Sequence, residues 1–132
     1  MKLRIKGNSL RLRLSQSEVA RIGRGERVSE AIDFGGGARL TYALETAPNV
    51  KEIAAHFTGE IITVALPVEQ AREWVNTDLV GLRAEQSLDA GGDAGGESSP
   101  KLTLLIEKDF VCIDGEPTED QADSFPNPNL KC

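Results

Sequence analysis

The chain is poor in the side chains that most often carry chemistry, with two cysteines and one histidine in 132 residues. Two thiols, Cys112 and Cys132, are too few for a disulfide scaffold, and reduced cysteines are the expectation. Their spacing to His56, Asp114 and Asp123 matches no zinc finger or knuckle, so no metal is expected. His56 lies between Ala55 and Phe57-Thr58 on an alternating stretch, which reads as a partly buried structural residue and leaves a serine–histidine–aspartate triad without support. Gly23-Arg24-Gly25 is followed by neither Gly-Lys-Ser/Thr nor a third glycine, so it is no phosphate loop or dinucleotide fingerprint, and no cofactor is expected. Nowhere is there an apolar run long enough to cross a bilayer, and the opening MKLRIK leads into no signal-peptide core. A cytoplasmic protein without a membrane partner is the expectation.

What the chain has is a sharp division of charge. Residues 1–27 carry eight basic side chains against Glu18 and Glu26, a net of +6, and the remaining 105 residues carry 7 basic and 19 acidic ones, a net of −12. With 39% hydrophobic and 27% charged residues the chain suits one soluble domain with its own core. The overall charge of −6 argues against general nucleic-acid binding.

Two stretches also resemble each other at an offset of 52: Gly7 falls on Gly59, Ile5 on Phe57, Leu10 on Ile62, Leu12 on Val64, Leu14 on Leu66, Val19 on Ala71, Ile22 on Trp74 and Val28 on Val80. After a ten-residue insertion, Leu40-Thr41 falls on Leu102-Thr103 and Leu44-Glu45 on Ile106-Glu107. A self-match at one offset implies an architectural unit of that length. The boundaries are repeat 1 at 1–47 and repeat 2 at 53–108, with a flexible Gly/Ser-rich insertion at 88–100 and an acidic extended tail at 111–132.

In repeat 1, Leu3 and Ile5 alternate with Lys2, Arg4 and Lys6, and beyond Gly7-Asn8, Leu10, Leu12 and Leu14 alternate with Ser9, Arg11 and Arg13. This predicts a hairpin on a type II′ turn, with one apolar face and one cationic face. Ser15 and Glu18 have capping-box spacing, so a short helix begins there, buries Val19 and Ile22, and stops near Gly23 or Gly25. Strands over Val28–Phe34 and Arg39–Glu45 follow around three glycines. Repeat 2 predicts strands over Glu52–Thr58 and Ile61–Leu66, a helix after Pro67 that buries Ala71 and Trp74, then strands over Leu79–Glu85 and Lys101–Glu107. The expected fold is a single α+β domain of duplicated β-β-α-β-β units, mainly antiparallel, with eight strands and two short helices forming either a barrel or two packed sheets.

The candidate site is the cationic hairpin face, where Lys2, Arg4, Arg11 and Arg13 could hold a phosphate or carboxylate. The alternatives are a solvated outer face or coverage by the acidic stretch 114–123, which we expect to lie near it. Glu30, sharing a strand face with Val28, Ile32 and Phe34, is the carboxylate that could serve such a site, or pair with a nearby arginine.

From Lys2 to Val19, in Asp109–Cys112 and in Phe125–Pro128, the chain resembles a group of small bacterial proteins of unknown function. The resemblance implies no activity and no catalytic residue. More loosely, a barrel lined with arginine, lysine and glutamate is similar to the triphosphate-tunnel enzymes, whose Glu-x-Glu-x-Lys start is absent here. The function expected is therefore a non-catalytic binding or interaction module for a small anion or a protein. The alternative is an enzyme acting on a phosphorylated or carboxylate substrate.

Overall fold

A computed structural model describes residues 1–88, 100–110 and 125. The chain is α+β, with two helices and two four-stranded mixed sheets. Strands β1 (Lys2–Lys6) and β2 (Ser9–Leu14) lead to helix α1 (Gln16–Gly23) and strands β3 (Val28–Gly35) and β4 (Ala38–Ala47). Then come β5 (Ala54–Thr58), β6 (Ile61–Pro67), helix α2 (Val68–Asn76), β7 (Gly81–Ser87) and β8 (Lys101–Lys108).

Local chemistry sets the ends of these elements. Gly7 takes φ +54° at the first turn position while Asn8 does not, the pattern of a type II′ turn, and Lys6 pairs with Ser9 across it. At the start of α1 the Glu18 carboxylate accepts the Ser15 N–H at 2.9 Å, the return half of a capping box.

Of the two arrangements expected, the two sheets form and the barrel does not, and the sheets are mixed: among the described strands four pairs are antiparallel and two parallel. The sheets run β1-β2-β8-β7 and β3-β4-β6-β5, and in both the central pair is parallel: β2 with β8, β4 with β6. Each hairpin's inner strand finds its second neighbour in the other half of the chain, so the strands form two separate sheets and no closed barrel. The order β-β-α-β-β occurs twice. The parallel registers correspond as well: Ser9 faces Thr103 in one sheet and Ile61 faces Thr41 in the other. One detail of the offset changes. Val28 faces Leu44, whereas it is Leu82 and not Val80 that faces Ile106, with Glu30 level with Tyr42 and Ala84 with Leu104. Two extra residues after α2 account for the slip.

The inner sheet faces and the helices share one core of Leu12, Leu14, Val19, Ile22, Leu44, Val64, Leu66, Ala71, Trp74, Leu104 and Ile106. The helices follow β2 and β6 and pack on each other, sealing the end of the sandwich opposite the hairpin turns. Each such side chain removed from water contributes about 1.5–3 kcal/mol. Ile5 and Phe57, which alternate in phase with the core residues of their strands, are 59% and 70% exposed, and Ile62 is only half-buried. These residues lie toward the turn end, where no described element covers the sheets as the helices do at the other. Among the described residues no helix is long and apolar enough to cross a membrane.

Candidate functional site

The cationic face is formed, and the chain's own carboxylates occupy most of it. β8 lies beside β2 in parallel, so Glu107 comes level with Arg13 and pairs with the Nε of Arg11. One residue past the strand, Asp109 is buried, held by its own N–H on the Leu14 C=O at 2.8 Å. Its carboxylate sits 2.9 Å from Lys2 Nζ and 3.8 Å from Arg13 Nε, the second too long for a hydrogen bond. Among the described residues, Arg4 and Lys6 have no carboxylate partner. The stretch 114–123 expected near this face lies outside the described residues, as do Cys112 and Cys132.

Glu30 does not join the arginines. It stands on β3 in the other sheet, 2.9 Å from the α-ammonium of Met1 and accepting the Tyr42 hydroxyl at 3.2 Å. Glu18 holds the same ammonium through its second oxygen, and Tyr42 also donates to the Met1 C=O at 3.1 Å. Burial alone would lower the ammonium pKa, but the hydrogen bonds and charges of Glu18 and Glu30 raise it above its ordinary value. The Tyr42 pKa is raised by burial first, then by the Glu30 charge. The cluster ties β1 to β3, an ion pair that no local pattern announces.

The opposite flank is tied differently. Gln86 on β7 reaches across to β5, accepting the Ala55 N–H at 2.7 Å and donating to the Ala55 C=O at 3.0 Å. On the β1–β3 flank Ile32, which faces Leu40 as Gln86 faces Leu102, has no polar group to offer and is 46% exposed.

At the turn end the sheets leave a cleft of about 350 Å³ lined by Ile5, Leu10, Leu40, Phe57, Ile62 and Leu102. By the offsets above these are three corresponding pairs. Its rim carries Gly7, Asn8, Ser9 and His56. Asn8 is fixed there by a 2.6 Å bond from Nδ2 to the Lys101 C=O. His56 is exposed, a correction to the partly buried place its neighbours suggested: Ala55 and Phe57 take the inner face, so it points outward. The signal for the cleft was in the sequence as alternating apolar residues, which read as ordinary core. Among the described residues no three carboxylates, histidines or thiols converge where they could hold a metal ion.

A second buried amine, Lys108, donates to the Thr77 C=O at 2.8 Å and lies 5.5 Å from the centre of the Phe125 ring. Its pKa is lowered by burial, partly offset by Asp78. Phe125 donates its N–H to the Asp109 C=O at 2.7 Å and tilts against Phe110.

Residues 1–129 match the model of a family of unknown function, DUF7009, and the chain belongs to that family. No curated protein and no solved structure matches it.

Proposed function

We propose that this member of a family of unknown function is a non-catalytic interaction module that takes apolar side chains of a protein partner into the cleft at its turn end. The observation that carries this reading is the exposure of Ile5 and Phe57, at 59% and 70%, beside about 350 Å³ of apolar space. A contiguous apolar patch on a monomer's surface marks a binding surface more often than a scattering of single residues does, and the volume falls within the range of ligand-accepting clefts. The same reading takes the chain as two copies of one β-β-α-β-β unit, with the cleft between their hairpins. The basic face then has a supporting role, supplying Arg4 and Lys6 to an anionic group of the partner. An enzyme built on that face would want free arginines beside a free carboxylate, and Arg11 and Arg13 are engaged by Glu107 and Asp109 while Glu30 is engaged with Met1 on the other sheet.

Titrating the protein with an apolar fluorescent dye while following isoleucine and leucine methyl resonances tests the cleft. Shifts confined to Ile5, Leu10, Leu40, Ile62 and Leu102, and weakened dye binding in Phe57→Asp, are the expected result. Dye that binds equally well to Phe57→Asp, or shifts that fall elsewhere, would remove the reading.

A further inference from the structure

We infer that the free edge of β1 receives an extended segment of the partner by strand addition, a segment in which apolar residues alternate with aspartate or glutamate. The inference rests on the reading of the cleft as the binding site and names the chemistry of its occupant.

β1 is an edge strand, hydrogen-bonded only to β2 among the described strands. In a hairpin closed by a two-residue turn, the pair next to the turn exchanges its N–H and C=O within the hairpin, and such pairs then alternate with open ones. Lys6–Ser9 is the first pair, so Arg4–Arg11 and Lys2–Arg13 are also bonded inward, and the N–H and C=O of Leu3 and Ile5 face away from the sheet. The other half of the chain supports this assignment. Ala55, the counterpart of Leu3, spends its N–H and C=O on Gln86 at 2.7 and 3.0 Å. On the β1 side that bridge is missing, because Ile32 stands where Gln86 would be. Among the described residues the edge groups of Leu3 and Ile5 have no partner. One flank of the sandwich is thus closed by a side chain that mimics a strand, and on the equivalent flank, tied at Met1, the edge groups of Leu3 and Ile5 stay unpaired among the described residues.

The edge also specifies what it would accept. A strand paired with Leu3 and Ile5 points the facing side chains into the apolar cleft that Ile5 lines. Its intervening side chains emerge on the outer face opposite Arg4 and Lys6, the two cations of the β1–β2 hairpin without a carboxylate partner among the described residues. Lys2 is already held by Asp109 at 2.9 Å. A second copy of the chain is a poor occupant, since two β1 edges would set cation against cation. Main-chain bonds supply affinity in this mode, and the alternating side chains supply specificity.

Fluorescence anisotropy with the full chain and a short synthetic peptide alternating valine and glutamate decides the matter. The peptide should bind, and more weakly as salt rises. The valine–lysine analogue should not bind, and Arg4→Glu with Lys6→Glu should reverse the preference. N-methylation of the valines, or Leu3→Pro, removes an edge bond without removing a hydrogen bond of the hairpin and should weaken binding about tenfold or more. Should Leu3→Pro fail to fold, the N-methylated peptide still asks the same question of the unaltered protein. Binding indifferent to N-methylation, or undiminished by Arg4→Glu with Lys6→Glu, overturns strand addition. Much tighter peptide binding once the carboxylates of 114–123 are converted to amides would show the edge to be the chain's own, and overturns an external partner. If the apolar dye occupies the cleft while the peptide does not bind, strand addition alone is wrong; if the dye also fails to find the cleft, both readings fall.

Discussion

The side chain of Gln86 completes the edge of β5 by bonding both backbone groups of one residue, Ala55, accepting at 2.7 Å and donating at 3.0 Å. Ala55 is buried, so either group left alone would lack water to replace the amide. Gln86→Ala should destabilise the protein by about 1–3 kcal/mol. Gln86→Glu should lose stability as well, because it sets an acceptor against the Ala55 C=O. Urea midpoints of the two variants check this, and an unchanged midpoint in Gln86→Ala would show the bridge to be incidental.

Gly23 is required by its neighbour on the other helix. A Cβ at this position would lie 2.8 Å from Val75 Cγ1, closer than real contacts allow, and valine has little χ1 freedom with which to retreat. The backbone there is not strained, so ordinary helix propensity would favour alanine. Gly23→Ala should nonetheless cost about 1–3 kcal/mol through overpacking between α1 and α2. Pairing it with Val75→Ala should restore much of the loss, a coupling that a double-mutant cycle measures. A stabilised Gly23→Ala single variant would contradict the close approach.

The Met1 ammonium predicts a particular pH dependence. Its folded pKa is raised above 8.0 by Glu18 and Glu30 against the effect of burial, so its contribution is complete below pH 8.0 and is lost as the pH climbs through the higher folded value. Denaturant midpoints should fall over that alkaline window, and Glu18→Gln should flatten the fall. Residues added ahead of Met1 convert the ammonium to an amide and should cost about 1–3 kcal/mol at neutral pH. Tyr42 is the single tyrosine, so phenolate absorbance reports on it directly. Its pKa, raised by burial and then by Glu30, should fall toward 10.0 in Glu30→Gln. No movement would place Glu30 outside the cluster.

Trp74 is fully buried and donates its indole N–H to the Val80 C=O at 3.1 Å. Trp74→Ala should cost about 3–5 kcal/mol. Trp74→Phe keeps most of the ring and should cost closer to 1 kcal/mol, because Val80 still accepts the Lys108 N–H at 3.0 Å. As the single tryptophan, Trp74 should emit at the short wavelengths of a water-free site; emission like that of free indole in water would refute its place in the core.

Much of this molecule was legible in its residues because the governing interactions are local. The alternation from Leu3 to Leu14 with Gly7 at the bend determined a hairpin and its register. Ser15 and Glu18 determined where α1 begins, and Pro67 where β6 gives way to α2. Each of these rests on neighbours within a few positions, which turn geometry and backbone hydrogen bonds control.

Tertiary structure alone decided the rest. That β2 would lie parallel to β8, and β4 to β6, carries no local mark, since a strand's pattern tells which face is apolar and nothing about which distant strand lies beside it. For that reason the sequence showed a cationic face but not that Glu107 and Asp109 would pair with Lys2, Arg11 and Arg13, and an isolated Glu30 but not the Met1 ammonium that it meets. It also showed Ile5 and Phe57 in phase with the core. Alternation sets the direction of a side chain, and how far the opposing sheet and helices extend to cover it is a property of the assembled sandwich. That is why two residues patterned as core line an open cleft.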